Sequence, residues 1–401
     1  MSDVRRPRAR TLLASAAAAL MATALAGTTQ SPAHAAPAAA PAAAPAAAPA
    51  AAPVVQTVVS GLSYPWDVAF FKNGDMLMTE RRGTMSLRTA AGTRSVLNAP
   101  EQYDVFNASE AGAMGIDIDP TTVHTYFYTC QSKQSAGQAV DVRVYRWRLA
   151  ADNRSAVRDR TVLTGLPITS GRHAGCRVRF TPGWRITLGT GDAAVGTNPQ
   201  SRASLGGKTL RIDPLGGIPS DNPYAGWVGP SRTVYSYGHR NVQGLAVRPG
   251  TTQVWSQEQG TYRDDETNLV TPAGNYGYDP VPGYNEQVPM TDLVTFPQAV
   301  PARWSSGPTT VATSGITFLQ GSAWGRWNGA LAVAELKGQG VRVLTLNAAG
   351  QVTRQEQIPL LDNTFGRIRT VQSGPGGALY ATTSNGTNDK VLRLAPYAPP
   401  A

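Results

Sequence analysis

The sequence predicts an all-β fold, a six-bladed β-propeller of four-stranded antiparallel blades. Three observations carry that prediction. A small residue, an alternating apolar run, a turn and a second alternating run recur six times, at roughly 45–70-residue intervals. Most of the turns are Pro-Gly or Asn-Gly, and period-two alternation across such turns means antiparallel hairpins. The 41 Gly and 30 Pro, with only 15% charged residues, favour many turns and few long helices.

The first copy is Asp67-Val68-Ala69-Phe70, the Asn73-Gly74 turn, then Met76-Leu77-Met78-Thr79. The second is Gly115-Ile116-Asp117-Ile118, Asp119-Pro120, then Tyr126-Phe127-Tyr128. Arg177-Val178-Arg179-Phe180, Pro182-Gly183 and Ile186-Thr187-Leu188-Gly189 make the third. The fourth runs through Gly244-Leu245-Ala246-Val247, Pro249-Gly250 and Val254-Trp255-Ser256. Gly315-Ile316-Thr317-Phe318 with Ala330-Leu331-Ala332-Val333 is the fifth, and Ile368-Arg369-Thr370-Val371, Pro375-Gly376 and Leu379-Tyr380-Ala381-Thr382 the sixth. Further strands between copies, such as Val142–Arg148 and Val341–Leu346, bring each unit to about four strands. A lone blade cannot bury both faces, so the ring must close, and the spare strand Val54–Val59 is expected to complete the last blade. A pair of β-sandwiches would suit a repeat occurring twice, not six times.

Residues 1–35 have the form of an export signal: Arg5, Arg6, Arg8 and Arg10, an apolar stretch over Thr11–Leu25, and Ala33-His34-Ala35 before a cut. The Sec and twin-arginine routes both remain open for it. Residues 36–53 repeat Ala-Ala-Ala-Pro, an extended spacer with proline too frequent for a stable helix. The propeller domain is expected over residues 54–398. No later stretch is long and apolar enough to span a membrane, so a secreted protein is expected. The net charge of +10 falls to +7 once four Arg and one Asp leave with the signal. The remaining basic residues are scattered, which reads as a solvated surface and argues against nucleic acid as a partner. In an oxidising compartment Cys130 and Cys176 default to one disulfide, against a metal pair or a free nucleophile.

A strand–GxGxxG–helix unit, a GxSxG elbow and an HExxH pair are all absent, so nicotinamide, serine-hydrolase and zincin chemistries lack their signals. His173 lies in the small-residue loop Ser170-Gly171-Arg172-His173-Ala174-Gly175-Cys176. An imidazole there is either a general base or a loop histidine bonded to backbone. Asp192 ends the hairpin that His173 begins, so a blade would let the carboxylate orient the ring. In Tyr237–Asn268 a His239-Arg240-Asn241 triplet precedes an oxygen-rich run, Glu258, Gly260, Asp264, Asp265 and Glu266. Arginine and amide groups suit an anionic planar cofactor, and clustered carboxylates suit Ca2+ or simply a solvated turn.

The segments GLSYPWDVAF, SLGGKTLRIDPLGGIPSDNPY, YGHRNVQGLAV, ETNLVTPAGNYGY and GRIRTV resemble the glucose/sorbosone dehydrogenase family, from roughly Gly61 to Leu394. That family comprises secreted six-bladed propellers using pyrroloquinoline quinone (PQQ) and Ca2+. The resemblance implies a PQQ-dependent sugar dehydrogenase, with a sugar or polyol substrate and an external electron acceptor. It assigns His173 as the base, Asp192 as its supporting acid and Arg240 as the group polarising the quinone carbonyl. Asn241, Glu110, Lys337, Arg367 and Arg369 become cofactor contacts, the last two facing one way if they share a strand. The carbonyls of Gly260 and Thr261 would hold the Ca2+ that meets PQQ, while Asp265, Glu266, the Tyr276 carbonyl and Glu286 would form a separate calcium site. This sequence departs from the family where Arg172 replaces an acid beside the base, which argues against glucose itself. Thr261 replaces a proline, Cys176 a small residue and Glu286 a shorter acid; Cys176 paired with Cys130 would lock the His173 loop. The rival readings are a propeller that binds carbohydrate without oxidising it, and a lactonase-like metal hydrolase.

Overall fold

The computed structural model describes residues 53–99 and 104–399, so the signal and nearly all of the spacer lie outside the described residues. The chain forms six four-stranded antiparallel sheets. Strand β1 (Val55–Leu62) stands first; β2–β5 occupy residues 65–96, β6–β9 113–166, β10–β13 175–237, β14–β17 242–305, β18–β21 313–357 and β22–β24 368–394. The first run of each of the six repeats falls on an innermost strand, β2 (Pro65–Phe70), β6 (Ala113–Ile118), β10 (Gly175–Thr181), β14 (Val242–Val247), β18 (Thr313–Phe318) or β22 (Ile368–Ser373), and the second run on the strand beside it. Each inner strand packs on the next, and β22 returns to β2. The ring is closed by β1, which pairs antiparallel with β24 (Asp389–Leu394), Val55 opposite Leu394. The expected strand at the front of the domain is therefore the outermost strand of the last blade, three residues longer at its end than the sequence pattern implied.

The small residue opening several repeats has a steric cause. A Cβ at Gly115 would overlap the Cys176 carbonyl oxygen of β10. Only glycine lets these inner strands approach so closely.

The apolar halves of the alternation meet between blades rather than within them. Ala69, Leu77 and Leu87 pack against Ile116, Phe127 and Trp147 of the next blade, and Val144 and Tyr128 pack against Val178 and Leu188 of the one after. Trp147 and Trp255 are fully buried, and each large apolar side chain so placed contributes about 1.5–3 kcal/mol.

Cys130, in β7 (Tyr126–Ser135), and Cys176, in β10, form a disulfide with Cα atoms 5.6 Å apart, fastening the second blade to the third just after His173. Replacing both with alanine is expected to lower stability by about 2–4 kcal/mol, read as a lower denaturant midpoint at unchanged slope. No helix among the described residues is long and apolar enough to cross a membrane.

Candidate active site

Because the inner strands run in parallel around the channel, the loops that enter them collect on one face. Glu110 precedes β6, His173 precedes β10, Arg240 and Asn241 precede β14, and Thr310 and Ala312 precede β18. The hairpin returns reach the same face, bringing Asp192 after β11 (Arg185–Thr190) and Gly260 after β15 (Val254–Glu258). A cavity of about 250 Å³ opens there, lined by Glu110, Arg172, His173, Arg240, Gly260 and Thr261 among others. Four larger recesses lie elsewhere among the described residues, of about 390, 290, 260 and 430 Å³, but none of them is lined by a histidine.

The His173 loop is bent by left-handed residues, Gly171 at φ 88°, His173 at 52° and Cys176 at 72°. Such angles are uncommon outside glycine and need surrounding structure to hold them. Here the Ala193 amide donates to the His173 carbonyl at 3.2 Å, and a Cβ at Gly191 would overlap that same carbonyl. The next residue, Asp192, donates its amide to the Arg240 carbonyl at 2.8 Å, coupling the third blade to the fourth. Beneath it Lys208 is buried and donates to the carbonyls of Asn198, Pro199 and Gly206 at 2.6, 3.0 and 2.6 Å. Burial, opposed by Asp192, brings its pKa down to about 7.

His173 and Asp192 are both buried, with Nδ1 2.9 Å from Oδ1. Asp192 Oδ1 also accepts the Ala194 amide at 2.7 Å. The Tyr284 hydroxyl donates to Asp192 Oδ2 at 2.6 Å and lies 2.9 Å from His173 Nδ1. Burial and the adjacent Asp192 push the Tyr284 phenol up, so it remains a donor at neutral pH.

Arg240 is buried and takes its amide to Glu258 Oε2 (2.9 Å), Nη1 to the Gln259 carbonyl (3.1 Å) and Nη2 to Glu286 Oε1 (2.6 Å). Its Nε has no partner, nor do Asn241 Oδ1 and Thr261 Oγ1, although all three are buried. Unmet buried polar atoms are costly, and two of these three belong to residues lining the one cavity, which marks a place shaped for a polar ligand. Asn241 Nδ2 and Gln243 Nε2 both donate to Glu110 Oε2, at 2.8 and 3.0 Å, and Arg369 Nη1 donates to Gln243 Oε1 at 2.6 Å. Burial, opposed by Glu110 but joined by Arg367, Arg177 and Arg81, pulls the Arg369 pKa down to about 9. Arg177 is neutralised by Asp67, but Glu110 alone faces Arg369, Arg367 and Arg81, which leaves positive charge unneutralised. That excess suits a ligand carrying several carboxylates, as PQQ does.

Other expected contacts lie further out. Arg367 precedes β22 and is exposed while Arg369, within the strand, is buried. A register shift separates Ile368 from Thr370. Lys337 is exposed beyond β19 (Leu331–Glu335), its amide bonded to the Val311 carbonyl at 2.9 Å. Neither lines the cavity, and nor do Asn241 and Arg369.

The expected separate calcium site is not assembled. Asp265 accepts the amides of Gly260 (2.9 Å) and Val311 (2.6 Å), whereas Glu266, the next residue, accepts from Thr291 Oγ1 at 2.9 Å. Glu286 is held instead by Arg172 and Arg240, at 2.7 and 2.6 Å, and the Tyr276 ring stacks on His239. Among the described residues no three acidic, histidine or cysteine side chains cluster as a metal site. Burial and the neighbouring Glu258 push the Glu266 carboxyl well above its usual range. His239 is structural, spanning Ser236 Oγ and Glu258 Oε1 at 2.8 Å each.

Sequence reasoning missed Tyr284, Gln243 and Gln259. Tyr284 follows the turn Pro280-Val281-Pro282-Gly283, whose only signal is that of a loop.

A ring of six blades thus gathers an imidazole–carboxylate pair, a buried arginine and unneutralised positive charge at one mouth. The family model for Glucose / Sorbosone dehydrogenase matches residues 62–393, and the chain belongs to that family. It is 31% identical to an uncharacterized protein of Synechocystis sp. over 84% of this chain and 85% of that one. It is 27% identical to aldose sugar dehydrogenase YliI of Escherichia coli, over 84% and 91%. The solved PQQ-bound aldose sugar dehydrogenase of Streptomyces coelicolor superposes with a TM-score of 0.69 at 28% identity, covering 86% of this chain and all of that one.

Proposed function

We propose that this protein is an exported, PQQ- and calcium-dependent dehydrogenase that oxidises a hydroxyl of an aldose, a sugar aldehyde or a related polyol, passing electrons to an external acceptor. The observation that carries the reading is that His173, Arg240, Gly260 and Thr261 line one cavity, with the buried Arg240 Nε unpartnered. When bound, PQQ supplies a quinone able to accept a hydride. The residues suited to hold it are Arg240, Asn241 and Arg369, with Arg367, Lys337 and Glu110 toward the edge, and the Gly260 and Thr261 carbonyls suit Ca2+ as hard donors.

The protein's part in the reaction is positional and electrostatic. His173 stands at the cavity wall to take the proton of a substrate hydroxyl, and Asp192 stabilises the imidazolium that results. Burial opposes the charge on Arg240, but Tyr284, Tyr278, Glu286 and Asp192 outweigh it, so a fixed cation faces the cavity where negative charge develops. Arg172, paired with Glu286 and 5.3 Å from the Tyr284 ring centre, forms a cationic rim beside the base. A rim of that kind favours substrates other than the neutral aldose glucose.

The reading is tested by adding PQQ and Ca2+ to purified apoprotein and following reduction of an acceptor dye against aldoses, sugar aldehydes and polyols. Dye reduction that requires both additions and is lost on chelation is expected. Binding of PQQ with no turnover across the whole panel would contradict the dehydrogenase assignment and leave a carbohydrate-binding propeller.

A further inference from the structure

We propose that Glu286 is an exchangeable counter-ion for Arg240: it pairs with the buried guanidinium, gives it up to an entering anionic ligand and withdraws onto Arg172. The inference takes its ligand, PQQ, from the reading above, but its geometry belongs to this chain alone. Arg240 is the fixed member of the pair. Its side chain is 6% exposed, its amide is tied to Glu258 Oε2 and its Nη1 to the Gln259 carbonyl. Glu286 is the movable member. It lies in the irregular segment between β16 (Glu266–Leu269) and β17 (Trp304–Ser305), its side chain is 33% exposed, and Asn285 and Gln287 on either side are exposed.

A single carboxylate oxygen makes both contacts. Glu286 Oε1 accepts from Arg240 Nη2 at 2.6 Å and from Arg172 Nη2 at 2.7 Å, and among the described residues nothing bonds Oε2. The Arg172 guanidinium makes only that one hydrogen bond and is 40% exposed, 5.3 Å from the Tyr284 ring centre. A planar guanidinium can hold both oxygens of a carboxylate at once. Withdrawal of Glu286 therefore replaces its bond to Arg240 by a second bond to Arg172. What remains is a buried cation without a counter-ion, which is costly until another anion meets it. Arg172 and Arg240 line the cavity and Glu286 does not, so an anion entering there meets the guanidiniums first. The other carboxylates near that wall are not free to exchange. Asp192 is held by His173, the Ala194 amide and Tyr284, and Glu258 by His239, Asn268 and the Arg240 amide. Asp265 is held by the Gly260 and Val311 amides, and Glu110 by Asn241 and Gln243.

The test is equilibrium titration of the apoprotein with two anions: PQQ in the presence of Ca2+, and benzene-1,3,5-tricarboxylate without metal, a planar trianion that carries no quinone. Glu286→Gln keeps the shape and deletes the charge, and is expected to bind both about 5- to 30-fold more tightly than wild type. Arg172→Gln removes the place of withdrawal and is expected to weaken both about 3- to 10-fold. In the double variant the Arg172→Gln effect should shrink to within about twofold, because no carboxylate is left to move. A mere change of charge at the rim would leave the two effects additive. Additive effects, or Glu286→Gln binding that is unchanged or weaker, overturn the proposal; weaker binding of PQQ alone would return Glu286 to the calcium ligands. Coupled effects on the tricarboxylate in a protein that does not bind PQQ would refute the dehydrogenase reading and leave the exchange standing. Tight binding of PQQ without coupling would do the reverse, and failure of both anions to bind any of these proteins would overturn both.

Discussion

His173→Ala is expected to reduce turnover by about 10²–10⁴-fold while PQQ affinity and melting temperature stay close to wild type. The imidazole reaches the cavity as one element of its wall, and the charge and shape that suit the cofactor come from Arg240 and the Gly260–Thr261 backbone on that wall, with Asn241 and Arg369 bonded behind it through Glu110 and Gln243. Removing the ring leaves Asp192 still bonded to the Ala194 amide and to Tyr284, so the loop has little reason to collapse. The variant should therefore separate chemistry from binding. Rates come from dye reduction at saturating PQQ, and affinity from titration of the apoprotein. A parallel loss of both would mean that His173 serves the cofactor pocket and not the proton.

Asp67→Ala should produce the largest loss of stability, about 3–5 kcal/mol, because it strands two buried cations. Asp67 lies on β2 and is completely buried. Its Oδ1 meets Arg177 Nη1 at 2.5 Å, its Oδ2 meets Arg179 Nη1 at 2.8 Å, and Ile116 N and Thr370 Oγ1 each donate at 3.2 Å. The carboxylate thus ties the inner strands of four blades together at the channel axis. Burial opposes its charge, but Arg177 and Arg179 prevail and hold its pKa below the usual carboxylate range. The sign of the pH effect follows. This stabilisation is fully present above the unfolded pKa of about 3.9 and fades as pH falls through the lower folded value. Denaturant midpoints of wild type and variant should differ most at neutral pH and converge below about pH 4. A gap that persisted undiminished in acid would assign the loss to packing instead of charge.

The fold was legible because its signal is repeated. Residues such as Asp67-Val68-Ala69-Phe70 and Gly315-Ile316-Thr317-Phe318 alternate with period two, a turn follows, and six recurrences exclude most alternatives to a closed ring. The same alternation hid the ionic axis: Arg177 and Arg179 occupy the polar positions of their run, which in an isolated sheet would face water. Ring closure turns them inward, and closure is a property of all six blades that no single run expresses. At the site, the approach of His173 and Asp192 followed from their positions at the two ends of one hairpin. Tyr284 had no such signature, since it comes from a long irregular segment whose path depends on what it packs against. Glu286 illustrates a different gap. An acidic residue announces that it will meet a cation, and the guanidiniums that Glu286 meets in the structure, those of Arg172 and Arg240, are distant in sequence and adjacent in space.

The central claim is that the mouth of the ring is a socket for an anionic quinone held with Ca2+. Titrating the apoprotein with PQQ, in the presence of Ca2+ and then of a chelator, tests it most directly. The account predicts saturable binding of one PQQ per chain at micromolar concentrations or tighter, weakened by chelation and by Arg369→Ala. Failure of PQQ to saturate the protein with Ca2+ present, or binding indifferent to both perturbations, would contradict it.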